Sequence, residues 1–159
     1  MAFHISDTHF GHENVIKYCN RPFSSVREMN ESIIAQWNSV ISKKDIVYHH
    51  GDFALRMSKE EVYDIVRRLN GRIILIYGNH DRKGVGWFMD CGFYKVYRKG
   101  FILNDKYLLS HAPKDLDKYP RHIVNIHGHI HNHGLDSHLF PRHINVSCEV
   151  VDYKPVWID

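Results

Sequence analysis

The segment from Ser58 to Asp81, SKEEVYDIVRRLNGRIILIYGNHD, holds in order a helix start, a helix stop, a strand and a cluster of reactive side chains. Ser58 stands three residues ahead of Glu61, the capping-box spacing that satisfies two amides at a helix N-terminus. Val62, Ile65, Val66 and Leu69 follow at helical spacing, and Gly71 ends the helix. The run from Arg72 to Tyr77 is apolar and β-branched, reads as a strand, and leads directly into Gly78-Asn79-His80-Asp81. In α/β sheets ligands bind beyond the carboxyl ends of strands, so polar clusters at several strand exits can converge on one site.

The same reading extends outward. Ser25 and Glu28 form a second capping box ahead of a helix whose buried face is Val26, Met29, Ile33, Trp37 and Val40. Further strands are predicted at Phe3 to Ser6, Ile46 to Tyr48, Phe101 to Leu103, Tyr107 to Ser110 and Ile123 to Ile126, with Asn104-Asp105 turning a hairpin. A last set, Ile144 to Val146, Glu149 to Val151 and Val156 to Ile158, reads as antiparallel strands. Asn14 to Ser24 and Ala112 to Arg121 read as surface loops. The early βαβα order and the later run of strands predict a mixed-sheet α/β fold, with residues 1–159 as one domain.

Composition agrees. The chain has 159 residues, 43% hydrophobic and 25% charged, ordinary values for a folded globular domain. No apolar run is long enough to span a bilayer, so no membrane partner and a cytoplasmic location are expected. Cys19, Cys91 and Cys148 are isolated and odd in number, which fits small apolar residues better than a disulfide framework. Trp37, Trp87 and Trp157 read as packing residues, and Gly84-Val85-Gly86 lacks the strand and the Lys-Ser/Thr ending of a phosphate loop. The net charge of +3 favours anionic ligands without identifying nucleic acid. Histidine is the outlier: 14 residues, scattered from His4 to His143. Neutral imidazole is the commonest protein metal ligand.

The polar clusters are Asp7-Thr8-His9, Gly51-Asp52, Gly78-Asn79-His80-Asp81, His111 and Gly128-His129-Ile130-His131. Residues at i and i+2 on extended backbone share a side, which would pair Asp7 with His9 and His129 with His131. Gly51, Gly78 and Gly128 sit at strand exits, where a missing Cβ permits close backbone approach. Two carboxylates, one amide oxygen and four imidazoles exceed the need of one tetrahedral ion and suit two ions sharing a carboxylate. Donors of this mixed O/N type, without thiolate, fit two divalent transition-metal ions of manganese, iron or zinc, and the residues do not choose among them.

In this order the clusters resemble the calcineurin-like metallophosphoesterase superfamily, the resemblance running from Asp7 to His131. It implies a layered sandwich of two mixed β-sheets flanked by helices, with a dinuclear site at one edge. By analogy Asp7, His9 and His131 bind the first ion, Asn79, His111 and His129 the second, and Asp52 bridges them. His80 stays free of metal as the catalytic acid, and Asp81 resembles the acidic partner that orients it. After Gly51-Asp52 the chain reads Phe53-Ala54-Leu55-Arg56 where phosphoprotein phosphatases carry a further Asp and an Arg-Gly. The opening Asp7-Thr8-His9-Phe10-Gly11-His12, with Asn20-Arg21-Pro22-Phe23, looks instead like a compact branch of bacteria and phages.

The implied function is hydrolysis of phosphate esters, phosphodiesters or nucleotides foremost, by attack of a dimetal-bound hydroxide with His80 protonating the leaving group. A nuclease of the same chemistry and a non-catalytic metal-binding scaffold are the alternatives. The expected partner is a small-molecule or nucleotide phosphate ester, nucleic acid being the alternative; the sequence is silent on oligomeric state. Arg21, Arg82 and Lys83 are candidate phosphate contacts, and His12 and His133 candidate neighbours of the ligands. His4, His49, His50, His122, His127, His138 and His143 read as structural or surface residues.

Overall fold

The computed structural model describes residues 2–134 and 141–159; His138 lies outside them. The elements are β1 (Ala2–Ile5), α1 (Glu13–Tyr18), α2 (Val26–Val40), β2 (Ile46–His49), α3 (Lys59–Arg68), β3 (Arg72–Ile76) and α4 (Val85–Asp90). They continue as β4 (Lys95–Tyr97), β5 (Phe101–Leu103), β6 (Tyr107–Leu109), β7 (Val124–His127), β8 (His143–Asn145) and β9 (Val156–Ile158). One sheet has the order β4-β3-β2-β1-β9, the other β5-β6-β7-β8. In the first, β1 to β4 pair in parallel and β9 closes the edge antiparallel to β1. In the second, β5 and β6 form the antiparallel hairpin and β6, β7 and β8 are parallel.

Packing makes three layers of this chain. Ile5, Val47, Ile73 and Leu75 of the first sheet join Met29, Ile33, Trp37, Val62 and Ile65 of α2 and α3 in one core. Ile76, Leu109, Ile126 and Val146 form a second core that brings the two sheets together. The amide of Ser6 donates to Val146 O at 2.8 Å and the amide of Cys148 to Ser6 O at 3.0 Å, tying the sheets at the carboxyl ends of β1 and β8.

Capping follows the sequence at α3, where Ser58 Oγ accepts the Glu61 amide and Glu61 accepts the Ser58 amide. At α2 only half of the box forms: Ser25 accepts the Glu28 amide, but the Glu28 carboxylate turns one residue back to Ser24. Asn104 and Asp105, at φ 53° and 51°, are the left-handed centre of a turn closed by the Lys106 amide on Leu103 O, within the three-residue connection of the β5–β6 hairpin. Among the described residues, no helix is long and apolar enough to cross a membrane.

Several expectations change. Most of α1, a short helix burying only Val15, falls within Asn14 to Ser24, and the short elements α4 and β4 were not foreseen. Their few apolar residues give little periodicity to read. Glu149 to Val151 is a turn, not a strand: the amides of Val150 and Val151 both return to Ser147 O. Of the last set only β9 is antiparallel; the long 128–142 connection lets β8 return parallel to β7.

Trp37 is 0% exposed and its indole N–H donates to Asn70 O at 2.9 Å, whereas Tyr63 on α3 is 49% exposed. Trp37→Ala is expected to lower unfolding free energy by about 3–5 kcal/mol. Tyr63→Ala should change it by less than about 0.5 kcal/mol, both read by urea denaturation.

Candidate metal centre

Every cluster read from the sequence follows the carboxyl end of a strand in the parallel part of a sheet: Asp7 and His9 after β1, Asp52 after β2, Asn79 and His80 after β3, His111 after β6, His129 and His131 after β7. The loops are not extended, however. Asp7, His9, Asp52, His129 and His131 all have positive φ, between 49° and 73°. The i, i+2 argument for pairing their side chains therefore fails, and left-handed backbone aims them instead. For a residue with a Cβ that region costs roughly 1–2 kcal/mol, and such strain concentrates at functional sites. Close backbone approach supports it: a Cβ on Gly78 would meet Asp52, and one on Gly128 would meet Ser6 and Asp7.

Asp7, His9 and His131 bring one donor atom each within 4.8 Å of one another. Asp7 is fully buried; its Oδ2 accepts from the His129 amide and Ser147 Oγ, while Oδ1 has no hydrogen-bond partner. Burial drives its pKa above the usual range, against the pull of His111 and His131. His9 Nε2, also without a hydrogen bond, lies 4.0 Å from Asp7 Oδ1 and 3.7 Å from Asp52 Oδ2. Burial pushes the His9 pKa down to about 2, so the ring is neutral, the form that ligates metal. These distances are too long for hydrogen bonds and leave buried donor atoms around a common space that a cation would satisfy.

The second group is tighter. His111 Nε2, His129 Nδ1 and Asn79 Oδ1 lie 2.8–3.1 Å from one another. Nδ1–H of His111 donates to His50 O at 2.7 Å, which leaves a lone pair on Nε2 facing the Asn79 oxygen. Three acceptors then point at one place, an arrangement that needs a cation, proton or metal. Asp52 stands between the groups, with Oδ2 3.4 Å from His111 Nε2 and 3.7 Å from His9 Nε2. Burial would raise its pKa, but His111, the His80 amide and His9 outweigh that and hold it at about 2. The donor set thus fits two divalent ions.

His80 Nε2 is 3.9 Å from Asp52 Oδ2, and its amide donates to Asp52 Oδ1 at 2.8 Å. Asp81 corrects an expectation. Its carboxylate accepts from the amides of Asp52, Gly78 and Phe53 at 2.7, 2.8 and 3.2 Å, so it clamps two site loops together and is not turned to the His80 ring. Burial raises its pKa to about 6 against those amides.

Arg21 is a second correction. It is 4% exposed, and its five N–H groups are taken by Glu149 twice, Thr8 O, Met29 Sδ and Asp7 O, leaving none for a substrate phosphate. It holds the carbonyls of the strained Asp7–His9 loop. Glu149, which the sequence reading placed in a strand, bridges Arg21 and His131: its oxygens lie 3.1 and 3.2 Å from His131 Nδ1, turning Nε2 toward Asp7. Burial opposes the charge on His131, but Cys19, Glu149 and Asp7 outweigh it and lift the pKa to about 10. No sequence signal marked Glu149 or Cys19, because both come from turns that only packing brings to His131.

His12 lies beside His9, ring centroids 5.3 Å apart, and its buried Nδ1 has no partner; His133 is exposed. Arg82 and Lys83 are exposed and, with His80, line a cavity of about 290 Å³. His4, His49 and His50 are core residues: His4 and His50 bond to each other, and His49 bonds Thr8 Oγ1, whose proton goes to Phe53 O.

The sequence profile described as calcineurin-like phosphoesterase matches residues 2–156. The chain belongs to that family. As a calcineurin-like phosphoesterase it is a member of a group that binds divalent metals and acts on phosphate esters. It is 43% identical over 160 residues to the uncharacterized protein MJ1445 of Methanocaldococcus jannaschii, covering 98% of this chain and 85% of that one. It is 29% identical over 178 residues to the gene 66 protein of Mycobacterium phage L5, covering 91% of this chain and 84% of that one. The crystal structure of AQ665, a protein of unknown function from Aquifex aeolicus, superposes with a TM-score of 0.79 at 30% identity, over 98% and 94% of the two chains. The nuclease MPE of Pseudomonas putida shares the fold with a TM-score of 0.55 at 22% identity, over 80% of this chain and 60% of that one. The two mixed sheets with flanking helices are the architecture expected of the family.

Because Glu149 fixes the ring of His131, Glu149→Gln should weaken divalent-metal binding by about 10–100-fold, the usual effect of losing a carboxylate behind a ligand. Manganese titration followed by calorimetry would measure it, and an unchanged affinity would remove Glu149 from the centre.

Proposed function

We propose that residues 1–159 form a single metallophosphoesterase domain that hydrolyses phosphodiesters or nucleotide-type esters. The observation that carries this reading is the convergence of two donor triads on Asp52, with His80 3.9 Å from the same carboxylate. Asp7, His9 and His131 would hold one divalent ion, Asn79, His111 and His129 the other, and Asp52 both. Such ions, manganese first with iron, zinc or nickel as alternatives, supply Lewis acidity toward the phosphoryl oxygens and lower the pKa of the attacking water. His80, tethered to Asp52 through its amide, gives its ring proton to the departing alkoxide. Asp81 acts on His80 only through the loops it clamps. His12 and Arg82 stand where they can meet the ester's oxygens, whereas Arg21 contributes by holding the Asp7 loop.

A diester substrate is supported by the exposed cations that line a cavity with His80. The nuclease that shares the fold acts, by its name, on one member of that class. The chain's Phe53-Ala54-Leu55-Arg56, lacking the second Asp and Arg-Gly, speaks against a phosphoprotein substrate.

Elemental analysis of saturated protein should give two transition-metal ions per chain, and Asp52→Asn should lower occupancy of both; saturation at one ion would overturn the dinuclear assignment. His80→Ala should keep its metal but lose about a hundredfold to ten-thousandfold in kcat on an alkyl diester, and much less on an aryl diester, whose phenolate needs no proton. Equal losses on both substrates would exclude His80 as the acid.

A further inference from the structure

Two cavities adjoin the centre, and consecutive residues of the turn that follows β3 line them: Asn79 lines one and His80 lines the other. The first, of about 400 Å³, is lined by Asn79 and His111 of the donor set together with Arg98, Lys99, Lys114 and Tyr119. The second, of about 290 Å³, is lined by His80 together with Arg56, Arg82, Lys83 and Trp87. Each holds three cations, and among the described lining residues neither holds a carboxylate. The whole chain is nearly balanced, with 21 Lys and Arg against 18 Asp and Glu, so these two linings depart from its overall composition. A third cavity, on α3, mixes Lys59 with Glu60, Asp64 and Asp90, as an ordinary surface does. Each flanking cavity also has a half-buried aromatic side chain that packs on a hydrophobic cluster and lines the cavity as well: Tyr119 in one, and in the other Trp87, read from the sequence as packing alone. Tyr77 connects them: it lines the first cavity, carries Arg98 5.7 Å from its ring, and donates its hydroxyl to the carbonyl of Lys83, which lines the second.

A basic groove with aromatic faces suits a strand of nucleotides, the cations meeting phosphates and the rings stacking on bases. Resting on the diesterase reading, we infer that the two cavities are subsites on either side of the scissile phosphate, and that the substrate is single-stranded nucleic acid cut internally. A cyclic nucleotide or a lone monoester would leave three cations in one cavity without a counter-charge. Chemistry fixes the direction across the site. His80 lines the second cavity, so the fragment whose P–O bond breaks lies there and leaves with a hydroxyl, its oxygen protonated by His80. Oxygen from one water forms the new P–O bond, and the fragment in the Asn79 and His111 cavity keeps the phosphate. Duplex DNA presents its bases stacked inside and cannot offer them to Tyr119 and Trp87 without unpairing.

The test compares the manganese-loaded full chain on a bis-aryl phosphate, a dinucleoside monophosphate, and a single-stranded 12-mer carrying a different dye at each end. The 12-mer should exceed the dinucleoside monophosphate by about tenfold or more in kcat/KM, because only the 12-mer carries flanking phosphates for the cations of both cavities. Early products should come from internal cuts. Anisotropy of the 12-mer on the His80→Ala protein gives a readout without turnover: Arg98→Ala, Lys114→Ala and Arg82→Ala should each lower the slope of log affinity against log salt by about 0.7. Equal kcat/KM for dinucleoside monophosphate and 12-mer, unchanged salt slopes, or equal cleavage of the duplex would overturn the inference while bis-aryl turnover kept the diesterase reading intact. Absence of bis-aryl turnover with any divalent ion would instead strike the reading on which it rests.

Discussion

The structure depends on holding ligand-type side chains in backbone that disfavours them. Asp7, His9, Asp52, His129 and His131 take left-handed φ at strand exits, where glycine would be at ease. A glycine has nothing to offer a metal, so the chain accepts strain at these positions and places glycines next to them, where backbones meet. Gly78 against Asp52 and Gly128 against Asp7 let the loops from separate strands pack closely against one another.

Strain of this kind persists only when the surroundings over-determine it. Two buried charged groups do so by binding backbone. The Asp81 carboxylate gathers amides from the loops after β2 and β3, and the Arg21 guanidinium gathers carbonyls from the loop after β1. Each is a fixed charge whose hydrogen-bonding capacity is spent on the protein, which makes it a poor candidate for reaching substrate and a good one for fixing geometry. Glu149 joins this frame to the metal donors, connecting Arg21 to His131.

The parallel strands explain why one edge of the molecule carries all the chemistry. β1, β2 and β3 in one sheet and β6, β7 and β8 in the other each deliver their loops at the carboxyl end, and the Ser6 to Val146 and Cys148 bridge brings those edges together. The centre therefore lies where the two sheets meet, with cavities lined by Asn79 and by His80 adjoining it. The cations beside it are exposed and come from unrelated segments, Arg98 after β4, Lys114 after β6, Arg82 and Lys83 after β3.

The elements with strong periodic or capping signals were legible before any coordinates: α2, α3, β3 and the Asn104-Asp105 hairpin are written in local apolar spacing and turn chemistry. The strand exits that carry the candidate donors were legible too, because short motifs keep their order along the chain. Short elements such as α1 and β4, and the turn at Glu149, were not legible, since few residues define them and packing overrides weak local preference. Sequence by itself determined which candidate donor side chains the chain offers and which strands carry them. Only the tertiary structure decided that Arg21 and Asp81 face backbone, that Glu149 stands behind His131, and that consecutive residues of the Asn79–His80 turn line two basic cavities. Burial and partner choice depend on contacts between segments far apart in the chain, which a linear order of residues does not specify.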